Sequence, residues 1–189
     1  MTAFIIPDQF ISWILPLILS MGFFHVSHVN SRHGEAIKPG TTMKASIIFS
    51  VVSVLLFALG LYLAGLLERR FDENHQWIVL IMLFFVGIRM TIGAITRKPY
   101  TITYDINHLP VVLALAVARG INMIFAGIGI GFSEIPAGRF LITFAIMVWF
   151  ISFSGLLYGK QFGENTGKIA ETIAGIALIS IALINYWPF

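Results

Sequence analysis

The run WIVLIMLFFVGIRMTIGAIT, residues 77–96, decides what kind of protein this is. Its only charge is Arg89. As an α-helix rising about 1.5 Å per residue it matches the roughly 30 Å of a bilayer's hydrocarbon core. Five more runs of comparable length and composition surround it, at 10–29, 43–66, 108–132, 138–158 and 168–187. The sequence therefore predicts an all-α integral membrane protein with six transmembrane helices. With 58% hydrophobic and 11% charged residues and a mean hydropathy of +0.89, a water-soluble fold of 189 residues could not bury so much apolar surface. Segments such as 30–42 and 97–107 are too short for an extramembrane domain, so 1–189 reads as a single transmembrane domain in contact with lipid.

The loops carry the orientation signal. Arg32, Lys38, Lys44, Arg97, Lys98, Lys160 and Lys168 fall on the first, third and fifth loops, against Arg69, Arg70 and Arg139 on the opposite side. Basic residues stay on the cytoplasmic side, so a multipass protein of the bacterial cytoplasmic (inner) membrane with both termini outside is expected. The formal charge of +3 follows from this asymmetry and forms no single stripe, which excludes nucleic acid as a partner. Trp13, Trp77, Tyr100, Tyr158, Tyr186 and Trp187 fall where an interfacial aromatic belt would. The first apolar run has no basic segment before it and no small-residue cleavage site, and is expected to be retained. Absence of cysteine excludes disulfides, thiolate metal sites and cysteine nucleophiles.

A coarse repeat divides the chain at about residues 1–98 and 99–189, three helices to a half. An odd number of crossings per half inserts the second upside down, giving a 3+3 inverted repeat of the kind that builds secondary transporters. Small residues at helical spacing, Gly60 and Ala64, Gly127 and Gly131, Gly155 and Gly159, mark where helices approach closely. Pro16 stands in the middle of the first helix, where it removes a backbone hydrogen bond.

Charges within the membrane are the strongest pointers to a site, because each costs about 2.5–3.5 kcal/mol at a helix centre. Arg89, near the inner end of the third helix, can snorkel. Arg119 lies deeper, near the midplane, with Asn122 one turn further on the same face. Glu171 and Glu134 are its candidate partners. His25 and His28, spaced i, i+3 on the first helix, present two imidazoles on one face as half of a metal site, for which Asn122, Glu171 or His33 would have to complete the ligands. No cofactor is called for, and a bis-histidine haem with His108 is disfavoured. With no nucleophile beside a base, no H-E-x-x-H and no acidic dyad inside the helices, the chain does not read as an enzyme.

Three segments then carry a family resemblance: FVGIRM at 85–90, ARGINMIFAGIGIGF at 118–132 and GKQFGENTGKIAETIAGIALI at 159–179. In order and spacing they resemble bacterial manganese efflux pumps of the MntP type, a branch of the lysine-exporter superfamily, over nearly the whole chain. The resemblance implies six helices, outward termini and export of a divalent cation. It also implies that Glu171 matches the family's glutamate, while aspartates of the family's first and fourth helices are replaced by Gly22 and Asn122, and an acidic position of its second helix by Ser53. Hard divalent cations favour carboxylate oxygen, so these replacements leave the substrate open.

The expectation is an exporter working by alternating access, with a divalent metal as the substrate the resemblance implies. Gly22, Ser53, Arg119 and Asn122 would frame a midplane site, with His25, His28 and Glu171 lining the inner vestibule and Arg89 on the pathway. An anionic or zwitterionic substrate is the variant that Arg119 suggests. The alternative is a transport-inactive homologue serving as a subunit or scaffold of a larger membrane complex, with membrane-protein partners or copies of itself.

Overall fold

The computed structural model describes residues 8–33, 39–68, 76–96, 104, 106–133, 135–163 and 165–186. Six helices account for nearly all of them: α1 Asp8–His33, α2 Pro39–Glu68, α3 Gln76–Thr96, α4 Leu109–Gly131, α5 Ala137–Tyr158 and α6 Thr166–Tyr186, with a 3-10 turn, Gly159–Gln161, closing α5. All six are long and apolar enough to cross a membrane, and no strand occurs among the described residues. The protein is a multipass membrane protein.

Its packing follows from where side chains are small. A Cβ added to Gly60 of α2 would run into the Ile124 carbonyl and lie 2.9 Å from Gly127 Cα, and one on Gly127 would strike the Phe57 carbonyl. One turn on, Gly131 meets Ala64. On the other side of the bundle, a Cβ on Gly155 of α5 would lie 2.8 Å from Ser27 Cβ and 3.2 Å from the Phe24 carbonyl of α1, and one on Gly159 2.7 Å from Ser31 Cβ. In both pairs the contacts advance together along the two chains, so α1 runs with α5 and α2 with α4. The third crossing, Gly87 of α3 on Gly175 of α6, is antiparallel: a Cβ on Gly87 would lie 2.9 Å from the Gly175 carbonyl. Backbone-to-backbone packing of this sort is what holds helices together where lipid supplies no hydrophobic drive.

With looser seams between α2 and α5, α1 and α6, and α3 and α4, these crossings close a ring in the order α1, α5, α2, α4, α3, α6. Phe57, Phe140 and Phe144 fill the α2–α5 seam with ring centroids 5.0 and 5.4 Å from Phe57. Leu55, Ile142 and Ile173 point away from the bundle. Helix α1 is set deepest, 67% of its span being buried against 33–44% for the others. It is also the most polar inside: Ser12, Ser20, His25, Ser27, His28, Asn30 and Ser31 are all buried. Each would be costly against lipid, so α1 sinks into the ring.

One end of the bundle is tied by polar contacts. Asn30 donates to the Val26 carbonyl at 2.9 Å and accepts from the Tyr104 backbone N–H at 3.2 Å, and Lys168 donates to the Ile95 carbonyl at 3.1 Å. The ends of α1, α3 and α5 and the start of α6 therefore lie together, as alternating crossings require.

Candidate functional site

Inside the ring three helices bring ionisable groups to one point. Arg119 Nη1 of α4 donates to Glu171 Oε1 of α6 at 2.6 Å, and His25 Nδ1 of α1 lies 3.8 Å from Glu171 Oε2. The carboxylate is 1% exposed and the guanidinium 10%. Arg119 is ten residues into its helix and Glu171 five into its own, and both helices start from the tied end, so their Cα positions differ in depth by about 7.5 Å. That gap is within the reach of an extended arginine. Of the two candidate partners for Arg119, the structure selects Glu171; Glu134 lies outside the described residues.

The backbone at the start of α6 allows this convergence. A Cβ at Gly167 would lie 3.1 Å from Nδ1 of both His25 and His28, so glycine lets α6 rest closely on the two imidazoles. Both do share one face, as their spacing implied. They are buried rather than interfacial, at 4% and 1% exposure, and His28 stacks on Phe24 at 5.9 Å with Phe162 beside it at 6.5 Å. Among the described residues no group of three or more His, Cys, Asp or Glu side chains is placed to hold a metal ion. The side chain of His33 is not among those described.

The remaining predicted residues divide. Asn122 lies one turn beyond Arg119, and its Oδ1 is buried without a hydrogen-bond donor among the described residues. Gly22, one turn before His25, is buried with open space beside it: a Cβ there would meet only Met90 Cε, at 4.0 Å. Ser53 is fully buried, but its hydroxyl donates to the Phe49 carbonyl of its own helix. Arg89 is exposed on α3, apart from the buried cluster.

A cavity of about 300 Å³ leads from the tied end of the bundle to Arg119, lined by Val26, Val29 and Asn30 of α1, Leu115, Ala118 and Arg119 of α4, and Tyr104. Sequence reasoning missed this cavity and the Asn30 bond that shapes its mouth. The density of polar residues along α1 was the available signal. Chemically, the arrangement is a desolvated carboxylate paired with a cation of the protein's own, and that cation lines the cavity.

Comparison with known proteins gives a consistent picture. Residues 36–184 match the profile of the family described as "Putative manganese efflux pump". A protein of Elusimicrobium minutum named "Putative manganese efflux pump MntP" is 30% identical over 183 residues, covering 93% of this chain and 95% of the relative. Proteins of the same name from Photorhabdus laumondii and a Bradyrhizobium strain are 25% and 26% identical, covering 92% and 80% of this chain and 91% and 78% of theirs. No solved structure matches the chain.

Proposed function

This chain belongs to the manganese efflux pump family, and from that premise we propose that it exports a divalent metal cation, manganese by the relatives' name, across the bacterial cytoplasmic membrane by alternating access. The observation that carries the reading is Glu171: a carboxylate 1% exposed, amid membrane-spanning helices, bonded to the Arg119 that lines a cavity. Intramembrane carboxylates are rare because of their cost, and they mark ion pathways. The arginine speaks less for an anionic substrate, since its charge is already met by Glu171. His25 and His28 stand beside the carboxylate as supplementary imidazole ligands of the inner vestibule.

Alternating access draws support from the packing. The contact of Gly155 with Phe24 and Ser27 is matched by that of Gly60 with Ile124 and Gly127, and the contact of Gly159 with Ser31 by that of Gly131 with Ala64. Exchanging α1 with α4, α2 with α5 and α3 with α6 leaves the ring unchanged. Two inverted halves about a pseudo-two-fold axis would pack in this way, which supports the repeat, and in the same register Gly22 would be the counterpart of Asn122.

The exporter reading is tested by manganese resistance in an efflux-deficient bacterial host. The wild type is expected to raise resistance and lower cell manganese. Gly22→Asp with Asn122→Asp, for which Gly22 has room, should improve binding about tenfold, or 1.4 kcal/mol. If both proteins reach the membrane folded and neither changes cell manganese, the reading is wrong, and fixed stoichiometric partners on purification would favour the scaffold alternative.

The seven basic residues of the first, third and fifth loops support a cytoplasmic position for the tied end. Reporter fusions after Lys98 should accordingly read inside and fusions at Phe189 outside. An inside signal at Phe189 would refute this orientation.

A further inference from the structure

The cavity that reaches Arg119 opens at the tied end, and the packing shows what answers to it at the other. A single shift of 100 residues relates α1 to α4 at three separate contacts, pairing Phe24 with Ile124, Ser27 with Gly127 and Ser31 with Gly131. The first two of α1 meet Gly155 where those of α4 meet Gly60, and Ser31 meets Gly159 where Gly131 meets Ala64. Carried through that shift, the cavity-lining residues of α1 become Ala126, Gly129 and Ile130 of α4, and those of α4 become Leu15, Ile18 and Leu19 of α1.

The second set is shut where the first is open. Leu15 and Leu19 are fully buried and Ile18 is 8% exposed, whereas their counterparts Leu115 and Arg119 are partly buried and Ala118 is exposed. Ala126 and Ile130 are buried as well, and at Gly129 helix α4 rests so closely on α3 that an added Cβ would lie 3.1 Å from Met82 Cβ. The charged cluster has no equivalent on that side either. Arg119 answers to Leu19 and His25 to Phe125, and the Gly87–Gly175 crossing puts Leu83 in the place of Glu171, each four residues before its glycine.

A tightly packed apolar constriction stops ions because water does not wet it. Transporters built from two inverted halves change the end at which they are open by rocking the halves about a fixed site. Resting on the alternating-access reading above, we propose that Leu15, Ile18 and Leu19 of α1 with Ala126, Gly129 and Ile130 of α4 form the second gate of the transport path. It is the inverted counterpart of the cavity, closed in this structure, and it parts as the tied end closes. None of these six side chains can ligate a cation, so an ion that has left the buried cluster is not held again on its way out.

The chain has no cysteine, so a single introduced thiol reports on one position. The test uses the full-length protein in right-side-out and inside-out membrane vesicles, with Mn²⁺ flux and labelling by a charged, impermeant thiosulfonate followed together. Ile18→Cys and Ala126→Cys probe the gate, Ala118→Cys probes the cavity, and Leu55→Cys, which faces lipid, sets the background. Without metal, Ala118→Cys should react from the tied end while both gate thiols stay at background from either side. With Mn²⁺ supplied at the tied end, turnover populates the opposite state, and labelling of the gate thiols from the far side should rise about tenfold while that of Ala118→Cys falls. Either gate position decides the matter if the other variant does not insert. Gate thiols that stay at background while Mn²⁺ crosses overturn the proposal and leave export standing, as do gate thiols that react in step with Ala118→Cys. If neither the wild type nor any variant moves Mn²⁺, the exporter reading falls and the gate with it.

Discussion

Glu171→Gln should abolish manganese resistance and produce the largest loss of stability of any single polar substitution in the bundle. The carboxylate is 1% exposed and 2.6 Å from Arg119 Nη1, with His25 Nδ1 at 3.8 Å from its other oxygen. Gln keeps the shape and one accepting oxygen but leaves the guanidinium without compensating charge. Breaking a buried pair on one side costs about 3–5 kcal/mol, whereas removing both partners together can be nearly neutral. Thermal unfolding in detergent should therefore show Glu171→Gln strongly destabilised and the double variant with Arg119→Met largely recovered. Resistance should return in neither, since both lack the carboxylate. A Gln variant that melts with the wild type and still confers resistance would remove Glu171 from both roles.

Gly127→Val should be comparably damaging for a different reason. A Cβ at this position runs into the Phe57 carbonyl and lies 3.1 Å from Gly60 Cα, so the obstacle is backbone, which cannot rotate away. Relief requires α2 and α4 to separate along a crossing that also includes Gly131 against Ala64. Overpacking costs about 1–3 kcal/mol even where side chains can adjust, and here they cannot. Little folded protein should be recovered by size-exclusion chromatography. Gly138→Ala, with nothing within 4 Å of its added Cβ, is the matched control and should behave as wild type.

The helices were plain from the sequence because a bilayer demands long apolar runs, and the predicted segment 77–96 differs by one residue from α3, Gln76–Thr96. Helix α2, at Pro39–Glu68, extends beyond the predicted 43–66 at both ends, since its polar first turn continues the helix past the hydrocarbon boundary. The small-residue pairs on α2, α4 and α5 do mark close crossings, but which helix each pair meets was not legible, nor was the Gly87–Gly175 crossing. In a soluble helix the apolar stripe shows which face turns inward. Here lipid-facing Leu55 and core-facing Phe57 are equally apolar, so that information is missing from the pattern. Depth could be counted along each helix, which placed Arg119 in the interior with Glu171 among its candidate partners. Rotation could not, and so which of Asn122, Glu171 and His33 would stand beside His25 was not legible; among the described residues it is Glu171.

The ring has a consequence for how the protein is made. The extensive helix-to-helix packing joins a member of the first three helices to a member of the last three, while the first three meet each other only at scattered points such as Phe23 against Phe49. When ribosomes have delivered α1 to α3, those segments still lack the close-packed mates on which they settle and wait in the lipid loosely associated at most. Commitment comes only as α4, α5 and α6 thread between them, so assembly is late and all at once, and a nascent chain arrested halfway should be a ready substrate for membrane quality-control proteases.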